Sequence, residues 1–140
     1  EMIKFERAKL EDVWNLRHVA MWPDRPIDFI KQNSDSEGIH LGIYENDSLI
    51  CVLSIDKLSE FAGAAVIRKL CTRPDRQREG LASLLMTHAL EMLKEKKIKT
   101  VSLDARVYVV PFYKRFGFRP LGRGFVKYGR PFQKMICSFR

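Results

Sequence analysis

A short basic loop that ends in a glycine precedes the most regular amphipathic segment of the sequence. The loop runs from Arg73 to Gly80 and follows an apolar, strand-like segment. The first-turn N–H groups of a helix lack acceptors within the helix, and the helix dipole places about half a positive charge at this end. A pyrophosphate can accept hydrogen bonds from these N–H groups and neutralise that charge. Gly80 permits close approach of phosphate oxygens, and Ala82 keeps the first turn slim. Arg76 and Arg78 can add charge-assisted hydrogen bonds.

By itself this spacing is weak, because a glycine near a basic helix start usually marks only a turn. The hydrophobic periods of the flanking segments supply the context. They predict strands at 3–5, 39–43, 49–55, 64–71 and 100–105, helices at 10–21, 24–33, 81–93 and 109–116, and final strands at 118–126 and 132–139. This order predicts an α/β fold with one mixed sheet and helices on both faces, in a single domain over 1–140.

Composition narrows the class of protein further. The chain has 140 residues, of which 46% are hydrophobic and 30% charged, which is ordinary for one globular domain. We find no apolar run of membrane-spanning length and no signal-peptide core at the N-terminus, and therefore expect a soluble, cytoplasmic protein. The net charge of +8 suits an anionic ligand, with much of the excess between 68 and 78 and between 114 and 130.

Two motifs together resemble a known family. Gln77-x-x-Gly80-x-Ala82, after a strand ending in Leu70-Cys71-Thr72-x-Pro74, resembles the coenzyme A signature of the GNAT superfamily of N-acetyltransferases. The segment 109–118, with the sequence VVPFYKRFGF, is similar to the second motif of that family and of a bacterial subgroup of small acetyltransferases. The predicted elements match the family fold along nearly the whole chain.

The resemblance implies a GNAT-like acyl-CoA N-acyltransferase fold, in which a central mixed, mostly antiparallel sheet is flanked by helices. It implies acetyl-CoA as cosubstrate and an amine of a small molecule, peptide or protein as acceptor. Tyr113 matches the tyrosine that protonates the departing thiolate, and a backbone amide of Cys71 or Thr72 would stabilise the oxyanion. The implied cofactor-binding residues are Leu70, Cys71, Thr72, Gln77, Arg78, Glu79, Gly80, Leu81, Ala82, Ser83, Arg106, Phe112 and Tyr113.

The general base stays open. Some family members carry a strand glutamate where this chain has Val66, so Glu60, Asp104 or a water chain are the alternatives. Arg106 stands where many members place Asn or Gln, and its side chain reaches either a phosphate or the substrate. The missing carboxylate also leaves open a coenzyme A-binding module without catalysis.

Other partners and sites are not predicted. Aromatic residues follow apolar patterns, which argues against nucleic acid, and we expect no membrane partner. The histidines lack metal-ligand spacing, so no metal site is predicted; His88 reads as a core residue. Cys71 at a strand end, with no identifiable base, reads as a structural thiol. A homodimer is one alternative for the oligomeric state.

Overall fold

The structure, a computed structural model, describes residues 2–139, and the side chain of Lys57 lies outside that description. Four helices and eight strands occur in this part of the chain. The helices are α1 (Leu10–Met21), α2 (Ile27–Ile30), α3 (Leu81–Glu95) and α4 (Val110–Lys114). The strands are β1 (Ile3–Arg7), β2 (Ile39–Glu45), β3 (Ser48–Ser59), β4 (Ala64–Thr72), β5 (Thr100–Arg106), β6 (Arg119–Pro120), β7 (Phe125–Lys127) and β8 (Arg130–Ser138).

The strands follow the order β1-β2-β3-β4-β5-β8-β6, and β7 also pairs with β8. Strands β4 and β5 are parallel, with a register from Ala64↔Thr100 to Val66↔Ser102. Parallel neighbours need a crossover connection, which α3 supplies. The pairs β1–β2, β2–β3, β5–β8, β6–β8 and β7–β8 are antiparallel. The predicted α/β class, with a mixed and mostly antiparallel sheet flanked by helices, is confirmed.

Backbone contacts divide the described chain into two compact units. The first holds the residues up to Asp56 together with Arg68–Leu90, and the second holds Lys57–Ile67 and the residues from Glu91 onward. The single domain over 1–140 stays a prediction, and its end residues Glu1 and Arg140 lie outside the described residues. No helix in the described chain is both long and apolar enough to cross a membrane.

In the first unit, α1 packs its apolar stripe on one face of β2 and β3. The cluster consists of Val13, Leu16, Tyr44, Leu49 and Val52, each no more than 8% exposed. Burial of an aliphatic side chain of this size stabilises the fold by about 1.5–3 kcal/mol. Helix α1 ends at Met21, as predicted, two residues before Pro23, which cannot continue a helix.

A closed set of buried hydrogen bonds ties α1 to β2 and β3. Arg17 donates through Nη1 to both carboxylate oxygens of Asp35, at 3.1 and 3.0 Å, and through Nη2 to Ser54 Oγ at 2.8 Å. Ser54 Oγ also lies within hydrogen-bonding distance of His40 Nδ1, at 2.6 Å. His40 Nε2 then donates to the Asp35 carbonyl oxygen at 2.8 Å, which completes the set.

The Asp35 carboxylate keeps its charge although it is buried. Burial alone would raise its pKa, but the backbone N–H of Gln32, the indole of Trp14 and the Arg17 guanidinium together hold the pKa below the usual value. Trp14 Nε1 and the Gln32 N–H donate to Asp35 Oδ2 at 2.9 and 2.8 Å. A single carboxylate therefore organises the segment between α1 and β2.

In the second unit, β5 and β8 share a buried face. Val101, Leu103 and Ala105 alternate along β5 and are buried, opposite Cys137, Met135 and Gln133 of β8, of which Cys137 and Met135 are also buried. Ile98 and Phe118 are buried as well. The residues between them on β5, which are Ser102, Asp104 and Arg106, point to the other face and stay partly or fully exposed.

Two predicted elements are wrong in extent. The helix expected over 24–33 covers only Ile27–Ile30, and a 3-10 turn at Asn33–Glu37 follows it. The Asp35 carboxylate accepts the Gln32 N–H, and this local bond ends the helical course. The strand expected over 118–126 is divided into β6 and β7, because Gly122, at a φ of +73°, turns the chain between them.

Helix α3 differs from the prediction along one edge of its buried stripe. Leu84 is 49% exposed, and His88, predicted as a core histidine, is exposed and stacks on Phe5 with ring centroids 4.7 Å apart. The buried positions instead follow four-residue steps from Leu81 to Leu93, and Met86, next to Leu85, widens the stripe on the side away from Leu84. They are Leu81, Leu85, Met86, Ala89 and Leu93.

Candidate functional site

The loop between β4 and α3 presents an open helix start, as the sequence predicts. A 3-10 turn at Pro74–Arg76 follows β4, and α3 begins at Leu81. Gly80 has a φ of +80°, and a Cβ placed on it would meet no atom within 4 Å. The N–H of Leu84 donates to the Gly80 carbonyl oxygen at 3.0 Å, so the regular helical bonds begin only there. The preceding amides lie beside an exposed glycine, the geometry that an anion uses.

Arg76 shapes this loop rather than facing outward. Its Nη2 donates to Glu45 Oε2 at 3.2 Å, its Nη1 makes a shorter bond to Glu45 Oε1, and its Nε donates to both Glu79 oxygens at 3.0 Å. The hydrogen bond from Arg76 holds the pKa of Glu45 below the usual value. The phosphate contact considered for Arg76 in the sequence is therefore replaced by two internal carboxylates.

Arg78 and Glu79 lie at the exposed tip of the loop. Arg78 adopts a φ of +67°, which a non-glycine residue rarely does, and is exposed. It forms no ion pair with a residue in the described part of the chain. Arg78 is therefore the loop cation that remains available to an anion.

The end of β4 carries the other predicted donor residues. Leu70, Cys71 and Thr72 are half-buried, and Lys69 just before them has a φ of +57°, which interrupts the regular strand. Thr72 is held through both its side chain and its backbone. Cys51 Sγ lies 3.4 Å from Thr72 Oγ1, and the side-chain amide of Gln77 donates to the Thr72 carbonyl oxygen at 3.5 Å.

Cys71 is chemically quiet. Burial raises the pKa of its thiol to about 12, so the thiolate needed for nucleophilic attack is scarce at neutral pH. Its side chain packs against the α1 cluster. The structure thus agrees with the structural role predicted for this thiol.

The second motif forms a compact aromatic corner in the second unit. Tyr113 of α4 meets Phe112 and Phe118 edge-on, with centroids 5.1 and 5.9 Å apart. The turn after α4 closes at Gly117, at a φ of +89°, and the Phe118 N–H donates to the Tyr113 carbonyl oxygen at 3.3 Å. Local sequence therefore fixes the position of the Tyr113 ring.

The Tyr113 phenol keeps its proton far above neutral pH. Burial is the main cause that raises its pKa to about 12, and nearby Tyr108 adds to the effect. Within residues 2–139, its hydroxyl makes no hydrogen bond to another protein group. A half-buried phenol of this kind can act as a proton donor to a ligand.

The predicted site residues fall into two sets, each contiguous within its own unit. The β4 end and the loop, 70–72 and 77–83, belong to the first unit, whereas Arg106, Phe112 and Tyr113 belong to the second. Arg106 lies over the Tyr108 ring, with Cζ 5.0 Å from the ring centroid. The role of each residue in binding coenzyme A stays a prediction.

The sequence reading missed Glu45. This residue appears in a turn-forming run, Glu45-Asn46-Asp47-Ser48, and nothing local relates it to Arg76, which lies 31 positions away. Among the candidate bases, Glu60 lies 3.6 Å from Lys96, whereas Asp104 is exposed and makes no salt bridge to a described residue. The described residues contain no group of three side chains placed to hold a metal.

Comparison with known proteins assigns this arrangement to a family. The family model for the acetyltransferase (GNAT) domain matches residues 17–139. An uncharacterized N-acetyltransferase of Bacillus subtilis, YitI, is 28% identical over 130 residues, covering 89% of this chain and 87% of its own. Escherichia coli ElaA has the same fold, with a TM-score of 0.83 and 23% identity over 98% of this chain and all of its own.

A second similar structure contains coenzyme A. It is a PaiA N-acetyltransferase of Thermoplasma acidophilum in complex with coenzyme A, with a TM-score of 0.73 and 16% identity over 99% of this chain and all of its own. The chain belongs to the GNAT acetyltransferase family. It is therefore an N-acetyltransferase of the acetyl-CoA-dependent class, as the two motifs predict.

Proposed function

We propose that this protein transfers the acetyl group of acetyl-CoA to a primary amine, with the loop before α3 holding the pyrophosphate. The observation that carries the proposal is the open turn at Gly80, where a Cβ would meet nothing within 4 Å. The first amides of α3, from Leu81 to Ser83, and the backbone from Gln77 to Gly80 would donate to phosphate oxygens. Arg78 supplies a positive charge to the same ligand.

The end of β4 would receive the pantetheine arm. Strand β4 continues to Thr72, six residues past Val66, the last β4 residue in the register with β5. Backbone groups of Leu70, Cys71 and Thr72 can then pair with the amides of the arm as an added strand does. Phe112 would flank the thiol end, and Arg106 would contact either a phosphate or the acceptor.

The chemistry needs positioning more than reactive side chains. A neutral amine attacks the thioester carbonyl, the C–N bond forms, and the C–S bond breaks as the tetrahedral intermediate collapses. A backbone amide of Cys71 or Thr72 stabilises the oxyanion, and Tyr113 gives its proton to the departing thiolate. The Tyr113 phenol carries its proton at neutral pH, as a proton donor must.

The amine must lose a proton before or during the attack. Of the two candidate carboxylates, Glu60 lies 3.6 Å from Lys96, whereas Asp104 forms no salt bridge with a residue in the described chain, and we therefore favour Asp104. A chain of water molecules is the remaining alternative. Val66 stands in β4 where a carboxylate would serve directly, and this supports a second candidate function, a coenzyme A-binding module without catalysis.

Replacement of Tyr113 by Phe tests the proposal. Loss of a general acid lowers turnover by about 10²-fold or more, whereas the affinity for coenzyme A should change little, because only the transition state uses the proton. Steady-state kinetics with a panel of amines and titration calorimetry with coenzyme A measure the two quantities. Tyr108→Phe, which removes a hydroxyl from an exposed ring, is the matched control.

The same measurements separate the alternatives. Coenzyme A binding without acetyl transfer to any amine would favour the non-catalytic module. Absence of coenzyme A binding at millimolar concentration would remove the basis of both. Unchanged turnover in Tyr113→Phe would remove the general-acid role alone.

A further inference from the structure

The positive charge of this protein is concentrated in its last quarter. Residues 105–140 contain nine Lys and Arg and no Asp or Glu, whereas residues 1–104 contain 16 basic and 17 acidic residues. The C-terminal segment therefore carries more positive charge than the net +8 of the whole chain. In the structure residues 105–139 form the end of β5, a 3-10 turn, α4 and the strands β6, β7 and β8.

The strand register places many of these cations on one face. Directly paired residues point to the same side of a sheet, so Phe125, Phe132 and Arg106 form one row across β7, β8 and β5. Lys127 pairs with Arg130 two positions along, on the same side. We call this surface the cationic face; its members are Arg106, Arg119, Lys127, Arg130, Lys134, Asp104, Phe125 and Phe132.

The cationic face is accessible and largely uncompensated. Arg119, Lys134 and Asp104 are exposed, and Arg106 and Lys127 are half-exposed. No salt bridge joins Arg106, Arg119, Lys127 or Lys134 to a residue in the described part of the chain. Asp104, opposite Lys134, is the one carboxylate among the residues of this face. The opposite face of β5 is buried.

Aromatic rings lie among these cations. Phe125 and Phe132 stack with centroids 5.8 Å apart and an interplanar angle of 16°, and Arg106 lies over Tyr108, which is 73% exposed. The 3-10 turn that contains Tyr108 contacts β5, β8 and α4. The cationic face is thus continuous with the element that carries Tyr113.

We infer that the acceptor is an acidic polypeptide segment whose amine is flanked by carboxylates; this rests on the proposed function. Amines are themselves cations at neutral pH, so a strongly basic face repels an acceptor that brings no negative charge. Carboxylates on both sides of the amine reverse that repulsion. Asp104, amid the cations, supplies the contact for the ammonium group itself.

The size and chemistry of the face favour a polypeptide. From Arg130 to Ile136, which pairs with Arg119, the strand spans roughly 20 Å at about 3.4 Å per residue, longer than a single small amine. A nucleic acid would also meet the cations and rings. It lacks a nucleophilic aliphatic amine, however, so it offers no acceptor for the acetyl group.

The test compares three labelled peptides that share one central lysine amine behind a blocked N-terminus and differ in the residues on both sides of it: Glu/Asp-rich, Gln/Ser-rich and Arg-rich. Fluorescence anisotropy measures their binding, and release of coenzyme A measures acetyl transfer. We expect the acidic peptide to bind and react at least about tenfold better than the neutral one at low salt. The preference should shrink as salt screens the charges.

A charge-reversed double variant locates the effect. Arg119→Glu/Lys127→Glu should remove the preference for the acidic peptide and leave coenzyme A binding intact. Lys4→Glu/Arg7→Glu in β1 makes the same charge change at exposed positions of the first unit and should retain the preference. A preference that persists in the first variant, or is lost equally in both, would overturn the inference.

The remaining outcomes are also decisive. Equal binding of the three peptides, or binding of a single-stranded oligonucleotide in place of the acidic peptide, would overturn the acceptor assignment while leaving the acetyl-CoA site intact. Failure to bind coenzyme A with normal acidic-peptide binding would contradict the proposed function instead. The two failures are therefore distinguishable in one set of measurements.

Discussion

At the scale of single residues, the candidate site separates groups that titrate from groups that only pack. Burial raises the pKa of both Tyr113 and Cys71 to about 12. Both groups are therefore protonated at neutral pH. A phenol must carry its proton to act as an acid, whereas a thiol must lose its proton to act as a nucleophile, so only Tyr113 is in the form that its proposed role needs.

Cys71 should therefore carry no acetyl group during turnover. We expect intact-protein mass spectra, taken after incubation with acetyl-CoA in the absence of acceptor, to show unmodified protein. Direct attack by the acceptor predicts no acyl-enzyme, because few Cys71 thiolates exist at neutral pH. An acetylated peptide containing Cys71, formed and discharged at the rate of turnover, would contradict direct transfer.

Asp35 should contribute strongly to stability. Replacement by Asn leaves the Arg17 guanidinium, 1% exposed, without its charged partner, and breaking a buried pair costs about 3–5 kcal/mol. Asp28→Asn is the control, because Asp28 lies 3.4 Å from Lys31 on the surface, where such pairs contribute up to about 1 kcal/mol. Urea denaturation at neutral pH measures both.

The pH dependence of unfolding should carry the same signature. The pKa of Asp35 is lower in the folded protein than in the unfolded chain, so the native state binds fewer protons. The stabilisation is complete above the unfolded value of about 3.9 and is lost as pH falls through the folded pKa. In Asp35→Asn this part of the acid limb should be absent. Identical acid limbs in the two proteins would contradict this account.

At the scale of elements, the loop before α3 depends on one backbone position. A Cβ at Gly80 meets no protein atom, but the φ of +80° strains any other residue. Gly80→Ala should cost about 1 kcal/mol of stability and, by placing a methyl group where phosphate oxygens approach, weaken coenzyme A binding by about tenfold or more.

Gly122→Ala is the matched control, with a φ of +73° and equally open surroundings. It should lose a similar free energy of unfolding and bind coenzyme A normally. Thermal unfolding and calorimetry provide the two readouts. Equal affinity in both variants would exclude the Gly80 turn from the binding site.

The sequence predicts elements well where the signal is local. The hydrophobic periods that predict the helix after Gly80 and the strands on either side of it involve residues only a few positions apart. The bidentate contact of Arg76 with Glu45 joins positions 31 apart, and no local sequence pattern predicts such a pair. The Arg17–Asp35 pair was unforeseen for the same reason, and with it the early end of α2.

His88 shows a second kind of limit. Hydrophobic periodicity places a stripe on a helix but does not fix its rotation, and a weakly polar residue at the margin can fall on either side. In the structure His88 stacks on Phe5 in solvent, while Met86 occupies the core. The range of α3 was therefore predictable, and the burial of a residue at the edge of its stripe was not.

At the scale of the whole molecule, the single-domain prediction has a direct test. One domain predicts one cooperative thermal transition, even though backbone contacts divide the chain into two units. Coenzyme A at a hundred times its Kd should stabilise the fold by about 2.7 kcal/mol and raise the midpoint of that single transition by roughly 5–10 °C. Two transitions, of which only one responds to coenzyme A, would show independent units.

The three cysteines offer a practical advantage. Burial raises the pKa values of Cys51, Cys71 and Cys137 alike, so few thiolates are available to electrophilic dyes while the protein is native. A colorimetric thiol assay for released coenzyme A should therefore show little background from the protein's own cysteines. Where such a dye does react slowly with the protein, the labelling rate of each cysteine reports how often the structure around it opens. The three cysteines thus measure local unfolding at three positions without an engineered probe.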